Sequence, residues 1–172
     1  MGLFRLSDDY LSAVEYTELF KWQSREAPAI VRHGDTYFMM FSACSGWDPN
    51  QATFSYSKSL TSGWSSRANI GNSVAYDTQA ASVLTVTGSK GTSYVYVGDR
   101  WQDPGLAESK TIMFPISFNG NSIVFDYKPQ FDLDLSTGQC RDVAQSCYVP
   151  KDKWKVRAFS SQETGSENGA AA

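Results

Sequence analysis

The chain has 172 residues, of which 41% are hydrophobic and 14% aromatic, and its formal net charge is −3. This length and composition are typical of a globular domain with a sizeable core. Because 15 Lys and Arg stand against 18 Asp and Glu, the chain lacks the basic excess that binds nucleic-acid phosphates, and we expect no nucleic-acid partner.

Hydropathy and cysteine usage exclude further classes. No apolar run approaches the roughly 18 residues of a membrane helix, and the first residues do not resemble a signal peptide, so we expect no membrane association. His33 is the single histidine, and the three cysteines are Cys44, Cys140 and Cys147. They are too few and wrongly spaced for a zinc site, so we predict no metal and no cofactor. Cys140 and Cys147 either form a short disulfide or remain thiols.

In chain order, the sequence predicts a series of short strands. Residues 3–10 alternate like the last strand of a unit that begins earlier, and residues 11–24 are predicted to be a loop. Further strands, separated by Gly, Asn, Asp and Pro, are expected at 28–33, 36–43, 52–57, 82–87, 92–98, 110–118, 122–126 and 131–135. A loop is predicted for residues 136–150, and Trp64 is interpreted as structural.

An internal repeat organises these strands. Glu26 opens the first unit and Gln79 the second, 53 positions later, and Trp47 and Trp101 follow at a separation of 54. A repeat of about 50 residues made only of short strands is typical of β-propeller blades. The alternative is two unrelated hairpins in a β-sandwich.

Five motifs carry a family resemblance. They are Arg25-Glu26-Ala-Pro-Ala, Ser45-Gly46-Trp47-x-Pro49-Asn50, Leu60-Thr-Ser-Gly-Trp64, Thr78-Gln79 before an apolar strand, and Gly98-Asp99-Arg100-Trp101. In this order they resemble glycoside hydrolase family 43, above all its exo-β-1,3-galactanase branch. The resemblance implies an all-β, five-bladed β-propeller, of which residues 1–150 hold roughly the last three blades.

The end of the chain has its own resemblance. Residues 151–172 are predicted to be a linker or the truncated start of a carbohydrate-binding β-sandwich module. Ser161-Gln-Glu-Thr and Glu167-Asn-Gly-Ala resemble the opening strand of a discoidin-like galactose-binding module. The family implies a monomeric parent protein that acts outside the cell or in the periplasm on β-1,3-galactan, such as the backbone of arabinogalactan.

The same resemblance assigns two catalytic residues. It implies that Glu26 is the acid of an inverting, exo-acting hydrolysis and that Gln79 holds the attacking water in place of an aspartate base. Inversion requires a gap of about 6.5–9.5 Å between the two protein groups, which equivalent positions on neighbouring blades are expected to provide. From the residues alone, Glu26 is equally a buried carboxylate paired to an arginine, and Gln79 an ordinary hydrogen-bonded strand residue.

Substrate-binding candidates follow the corresponding strands, where loops gather binding residues. Trp47 and Trp101 are predicted to stack on galactose, although both also suit core packing. Polar neighbours predicted to bond sugar hydroxyls are Ser45, Asn50, Asp77, Asp99 and Arg100. Asp99 and Arg100 form a structural ion pair in the alternative interpretation.

Two other functions remain open at this stage. A carbohydrate-binding propeller without catalysis is one, because Gln79 is an amide and a further carboxylate expected on the first blades is not in the chain. An inactive truncated fragment is the other, since an open propeller exposes strand edges.

Overall fold

A computed structural model describes residues 1–143. The predicted linker or module at 151–172 and Cys147, one of the two cysteines of the disulfide alternative, lie outside the described residues. Twelve β-strands and one 3₁₀ turn, Leu106–Glu108, form the described part. The strands are β1 Gly2–Leu6, β2 Ala13–Glu18, β3 Glu26–His33, β4 Thr36–Ser42, β5 Thr53–Ser57, β6 Ala68–Asn69, β7 Gln79–Gly88, β8 Gly91–Arg100, β9 Lys110–Asn119, β10 Ser122–Val124, β11 Phe131–Asp134 and β12 Gln139–Asp142.

Each unit of the sequence repeat forms one four-stranded antiparallel sheet. β3 to β6 pair in chain order in the first sheet, and β7 to β10 pair in chain order in the second. The hairpins β1–β2 and β11–β12 are separate two-stranded sheets. Consecutive four-stranded meanders, one per repeat, are the arrangement of propeller blades. The first strands of the two sheets, β3 and β7, lie against each other, and Glu26 and Gln79 begin them.

The middle strand β4 explains how the sheets are joined. Its residues are buried on both faces, as the continuous apolar run Tyr-Phe-Met-Met-Phe requires. Phe38 and Met40 face the main core that extends into the second sheet. Met39 and Phe41 face a smaller cluster with Leu19. Because alternate side chains of a strand point to opposite faces, β4 packs against the main core on one face and against the Leu19 cluster on the other.

Two loop predictions are wrong. Residues 11–24 contain strand β2, and residues 136–150 contain strand β12. Both segments are largely exposed and lack alternation, so periodicity gives no signal. Their strand structure comes from backbone pairing, with β2 against β1 and β12 against β11. Trp64 is structural as expected: it packs on the small cluster and its Nε1 donates to Leu60 O at 3.1 Å.

The described residues include no helix with the length and apolar character needed to cross a bilayer.

Tyr96 lies in the core and contacts Thr78, the residue immediately before β7. It is 1% exposed, and its hydroxyl lies 3.0 Å from Thr78 Oγ1, which in turn donates to Ala75 O at 2.7 Å. Its ring passes over Gly98, where an added Cβ would lie 2.5 Å from the phenolic oxygen. Gly98 therefore leaves the space through which Tyr96 reaches Thr78, next to Gln79.

We expect Tyr96 to make the protein alkali-sensitive. Burial raises the pKa of Tyr96 from its ordinary value of 10.0 to about 12, because the folded state disfavours the phenolate. The resulting stabilisation is complete below pH 10 and is lost as the pH rises from 10 to 12, a loss of roughly 3 kcal/mol. Urea unfolding measured across this interval should show the decrease, and Tyr96→Phe should lack most of it.

The matched control is Tyr10→Phe, since Tyr10 is 78% exposed. It should retain the alkaline step. An unchanged step in Tyr96→Phe would contradict the assignment to Tyr96.

Candidate functional site

The side chains of Glu26 and Gln79 meet at the junction of the two sheets. Gln79 Nε2 donates to Glu26 Oε1 at 2.9 Å, although the residues are 53 positions apart. Each residue is partly buried and stands at the start of its strand. Because β3 and β7 are adjacent, two long side chains suffice to bridge the sheets. The repeat thus brings together the two residues that the sequence singled out.

An irregular backbone follows both residues. The β3–β4 register shifts between Glu26 and Ala29, and the β7–β8 register shifts between Ala80 and Ser82. Ala27 adopts a φ of 50°, the left-handed region that non-glycine residues rarely occupy. Bulges re-aim side chains at strand ends, and here they lie in equivalent places beside Glu26 and Gln79.

Two further groups complete the bonding of Gln79. Its Nε2 also donates to Ser42 Oγ at 2.9 Å, and its Oε1 accepts the indole Nε1–H of Trp101 at 2.9 Å. Ser42 is 5% exposed and lies directly across from Glu26 in the β3–β4 register. Sequence reasoning missed Ser42. The sequence feature that could have revealed it is a polar residue at the end of the apolar run of β4, on a strand expected to pair with the strand of Glu26.

Trp47 and Trp101 form an aromatic pair beside this network. Their ring centroids are 4.9 Å apart at an interplanar angle of 59°, and Trp47 is 45% exposed. Both rings line a cavity with Gln79, Ser42 and residues of the neighbouring loops. Its solvent space is about 10 Å³, roughly that of a single water molecule. The arrangement places an aromatic surface and a water-sized polar cavity next to one carboxamide.

Within residues 1–143, Glu26 has no basic partner. Among residues 1–143, the ion pairs do not include Glu26. Arg25, its neighbour in sequence, lies near Arg67, and burial together with the Arg67 charge lowers the pKa of Arg25. The alternative of a carboxylate paired to an arginine is therefore wrong for the described part of the chain, where Gln79 is the partner.

Comparison with known proteins identifies the family. The chain matches no protein-family model and no curated protein sequence. Among solved structures, 1,3Gal43A, an exo-β-1,3-galactanase from Clostridium thermocellum, superimposes with a TM-score of 0.80 and 35% identity, covering 85% of this chain and 33% of that one. A GH43 β-1,3-galactosidase superimposes with a TM-score of 0.67 and 34% identity, covering 73% of this chain and 28% of that one.

This chain belongs to glycoside hydrolase family 43. A third neighbour is an exo-β-1,3-galactanase variant from Phanerochaete chrysosporium, solved with β-1,3-galactotriose, at a TM-score of 0.75 and 26% identity over 83% of this chain and 33% of that one. The chain spans about a third of the length of these relatives. The likeness confirms the predicted all-β propeller class.

Within the GH43 chain, Ser45 and Asn50 brace the loop that carries Trp47. Asn50 Oδ1 accepts the Ala43 N–H at 2.9 Å, and its Nδ2 donates to Ser45 Oγ at 2.6 Å. Ser45 Oγ donates to Asp48 O at 2.7 Å. These bonds occupy much of the hydrogen-bonding capacity of both side chains, so any contact with a sugar comes from what remains.

Arg100 pairs with Asp77, whereas the alternative interpretation paired it with Asp99. Its Nε lies 3.3 Å from Asp77 Oδ2 and also donates to Asp77 O, while Nη2 donates to Tyr76 O at 2.9 Å. Asp99 stands opposite Gln79 in the β7–β8 register and lines the cavity of the tryptophan pair. Arg100 therefore holds the segment before Gln79, and Asp99 lies beside the network.

No group of three or more His, Cys, Asp or Glu side chains suited to a metal ion occurs within residues 1–143.

We expect Arg100→Ala to destabilise the turn before Gln79. Ala75, Tyr76 and Asp77 all have left-handed φ angles of 50–58°, a costly conformation that the bonds from Arg100 help to maintain. Loss of these charge-assisted bonds should lower the free energy of unfolding by ~1–2 kcal/mol and speed hydrogen exchange of the amides at 74–79.

Arg100→Lys is the control for charge. An ammonium group lacks the planar fork that reaches two carbonyls, so this variant should recover little of the loss. Full recovery would show that charge alone holds the turn.

Proposed function

We propose that this chain carries the acid and the water-holding residue of an inverting, exo-acting glycosidase for β-1,3-galactan. The observation that carries the proposal is the 2.9 Å contact of Gln79 Nε2 with Glu26 Oε1 beside the Trp47–Trp101 pair. It joins a carboxyl that is able to protonate a leaving oxygen, an amide that is able to orient water and an aromatic surface that fits a sugar face. The exo-β-1,3-galactanase neighbours support the substrate class.

The chemistry divides between the two residues. Glu26, in its protonated form, gives its proton to the glycosidic oxygen as the bond to the anomeric carbon breaks. Gln79 accepts a hydrogen bond from the water that attacks the opposite face of the sugar. An amide is a poor base, so its contribution is to place the water rather than to take up its proton.

The spacing of the two groups needs one correction. The sequence predicted a gap of about 6.5–9.5 Å, whereas the nearest atoms of Glu26 and Gln79 are hydrogen-bonded at 2.9 Å. The Gln79 oxygen, however, is the end of the amide that faces away from Glu26. A water bound there lies roughly 6–8 Å from the Glu26 carboxyl, counting two hydrogen bonds and the amide between them. This distance leaves room for a glycosidic bond.

We propose further that the protein meets its polymer outside the cell or in the periplasm, because a galactan backbone is too large to enter the cytoplasm, and that arabinogalactan is its source. The proposed domain division is 1–150 for the propeller part and 151–172 for a linker or the start of a carbohydrate-binding β-sandwich module.

The direct test is to incubate the purified chain with β-1,3-galactooligosaccharides and to follow galactose release by proton NMR. We expect the α-anomer to appear first, because inversion of a β-linkage produces α-galactose. Glu26→Gln should lower kcat/KM by about 100- to 10,000-fold, the usual contribution of a general acid.

An aryl β-galactoside with a good leaving group is the diagnostic control. The aryl leaving group departs with little protonation, so Glu26→Gln should lower kcat/KM much less for this substrate than for the oligosaccharide. Equal deficits on both substrates would argue against Glu26 as the acid. Binding of galactan by a folded chain with no galactose released would indicate a carbohydrate-binding propeller instead.

A further inference from the structure

The orientation of the Gln79 carboxamide is determined by its neighbours. An indole N–H can only donate a hydrogen bond, so the Gln79 atom 2.9 Å from Trp101 Nε1 must be the oxygen. The amide nitrogen then necessarily faces Glu26 and Ser42, each at 2.9 Å. A reversed amide would set two donors against each other at Trp101.

We propose that Trp101 is a positioning residue for Gln79 and that Ser42 assists it by accepting one N–H of the amide. Its indole N–H locks the carboxamide with the oxygen toward the cavity and the nitrogen toward Glu26. This inference rests on the proposed function, since it assigns Trp101 a role in the water-holding step in addition to any contact with sugar.

The hydrogen-bond inventory of the amide shows why the lock matters. A carboxamide has two N–H donors and an oxygen with two lone pairs. Glu26 and Ser42 accept the two N–H groups, and Trp101 occupies one lone pair. One lone pair is left, and Gln79 borders the cavity of about 10 Å³. The amide therefore retains a single acceptor site, beside a space that fits one water molecule.

The packing of Trp101 keeps its N–H in place. Its ring lies against Trp47, with the centroids 4.9 Å apart, and Trp47 stands on the loop braced by Asn50 and Ser45. The residue before Trp101 is Arg100, which is bonded to the carbonyls of Tyr76 and Asp77. The segment before Gln79 and the residue that orients Gln79 are thus held by one connected set of contacts.

Trp101→Phe separates the hydrogen bond from the ring. Phe retains an aromatic surface against Trp47 but has no N–H. One neutral hydrogen bond contributes about 0.5–1.5 kcal/mol, so kcat for β-1,3-galactooligosaccharides should fall by about 3- to 10-fold while KM changes little. Trp64→Phe is the matched control, because Trp64 Nε1 donates to Leu60 O outside the site, and its kcat should equal that of the wild type.

The Gln79→Ala background distinguishes positioning from sugar stacking. Without an amide there is nothing for Trp101 to orient, so Trp101→Phe should cause no further loss of kcat in Gln79→Ala. A loss of the same size in both backgrounds, or no loss in the wild-type background, would overturn the proposal. Ser42→Ala should show the same dependence on Gln79, with a smaller effect because it removes one acceptor and leaves Trp101 in place.

Hydrogen exchange of the Trp101 indole N–H provides a readout that does not depend on activity. Its resonance is assigned as the one that Trp101→Phe removes. We expect protection in the wild type, retained protection in the Trp64→Phe control, which leaves the site intact, and at least a 3-fold faster exchange in Gln79→Ala. Unchanged exchange in Gln79→Ala would show that the indole bonds elsewhere and would overturn the proposal.

The two readouts separate the failures. If the folded chain releases no galactose, the proposed function fails, and the exchange experiment still decides whether Trp101 locks Gln79. If galactose is released but the exchange rate of the Trp101 indole N–H is the same in the wild type and in Gln79→Ala, only the positioning role is wrong.

Discussion

The carboxamide of Gln79 is the group on which the arrangement of the site depends. It forms hydrogen bonds with Glu26 and Ser42 of the first sheet and with Trp101, the residue that follows β8, each at 2.9 Å. All its donors are satisfied inside the protein, so its orientation is a consequence of packing. The Trp47–Trp101 pair covers the same junction. Any displacement of β7 relative to β3 would disturb these contacts together.

The core beneath the site explains how such a junction is stabilised. Phe38 and Met40 of the first sheet and Tyr96 and Phe114 of the second belong to one buried cluster, and burial of side chains of this size contributes about 1.5–3 kcal/mol each. Tyr96 connects this cluster to the site through Thr78. The strained turn before Gln79 is therefore supported from below by the core and from the side by Arg100.

Much of the fold was predictable because the signals were local. Alternation and turn residues located the strands of both four-stranded sheets except the two-residue β6, and the repeat identified the two sheets as equivalent units. Strands β2, β6 and β12 were missed, since their side chains are mostly exposed and only backbone pairing defines them. Trp64 was correctly assigned to packing. The pairing of Arg100 was not predicted, because its partner Asp77 lies 23 positions away in the sequence whereas Asp99 is the adjacent residue.

The sequence by itself determined that this is an all-β repeat protein and that Glu26 and Gln79 occupy equivalent positions, since periodicity and spacing are written in the residue order. It also carried the family resemblance. Only the tertiary structure decided that these two side chains touch, that Ser42 joins them and that Trp101 orients the amide. Such contacts depend on how neighbouring sheets pack and on where bulges redirect the side chains, and neither is encoded in the pattern of a single strand.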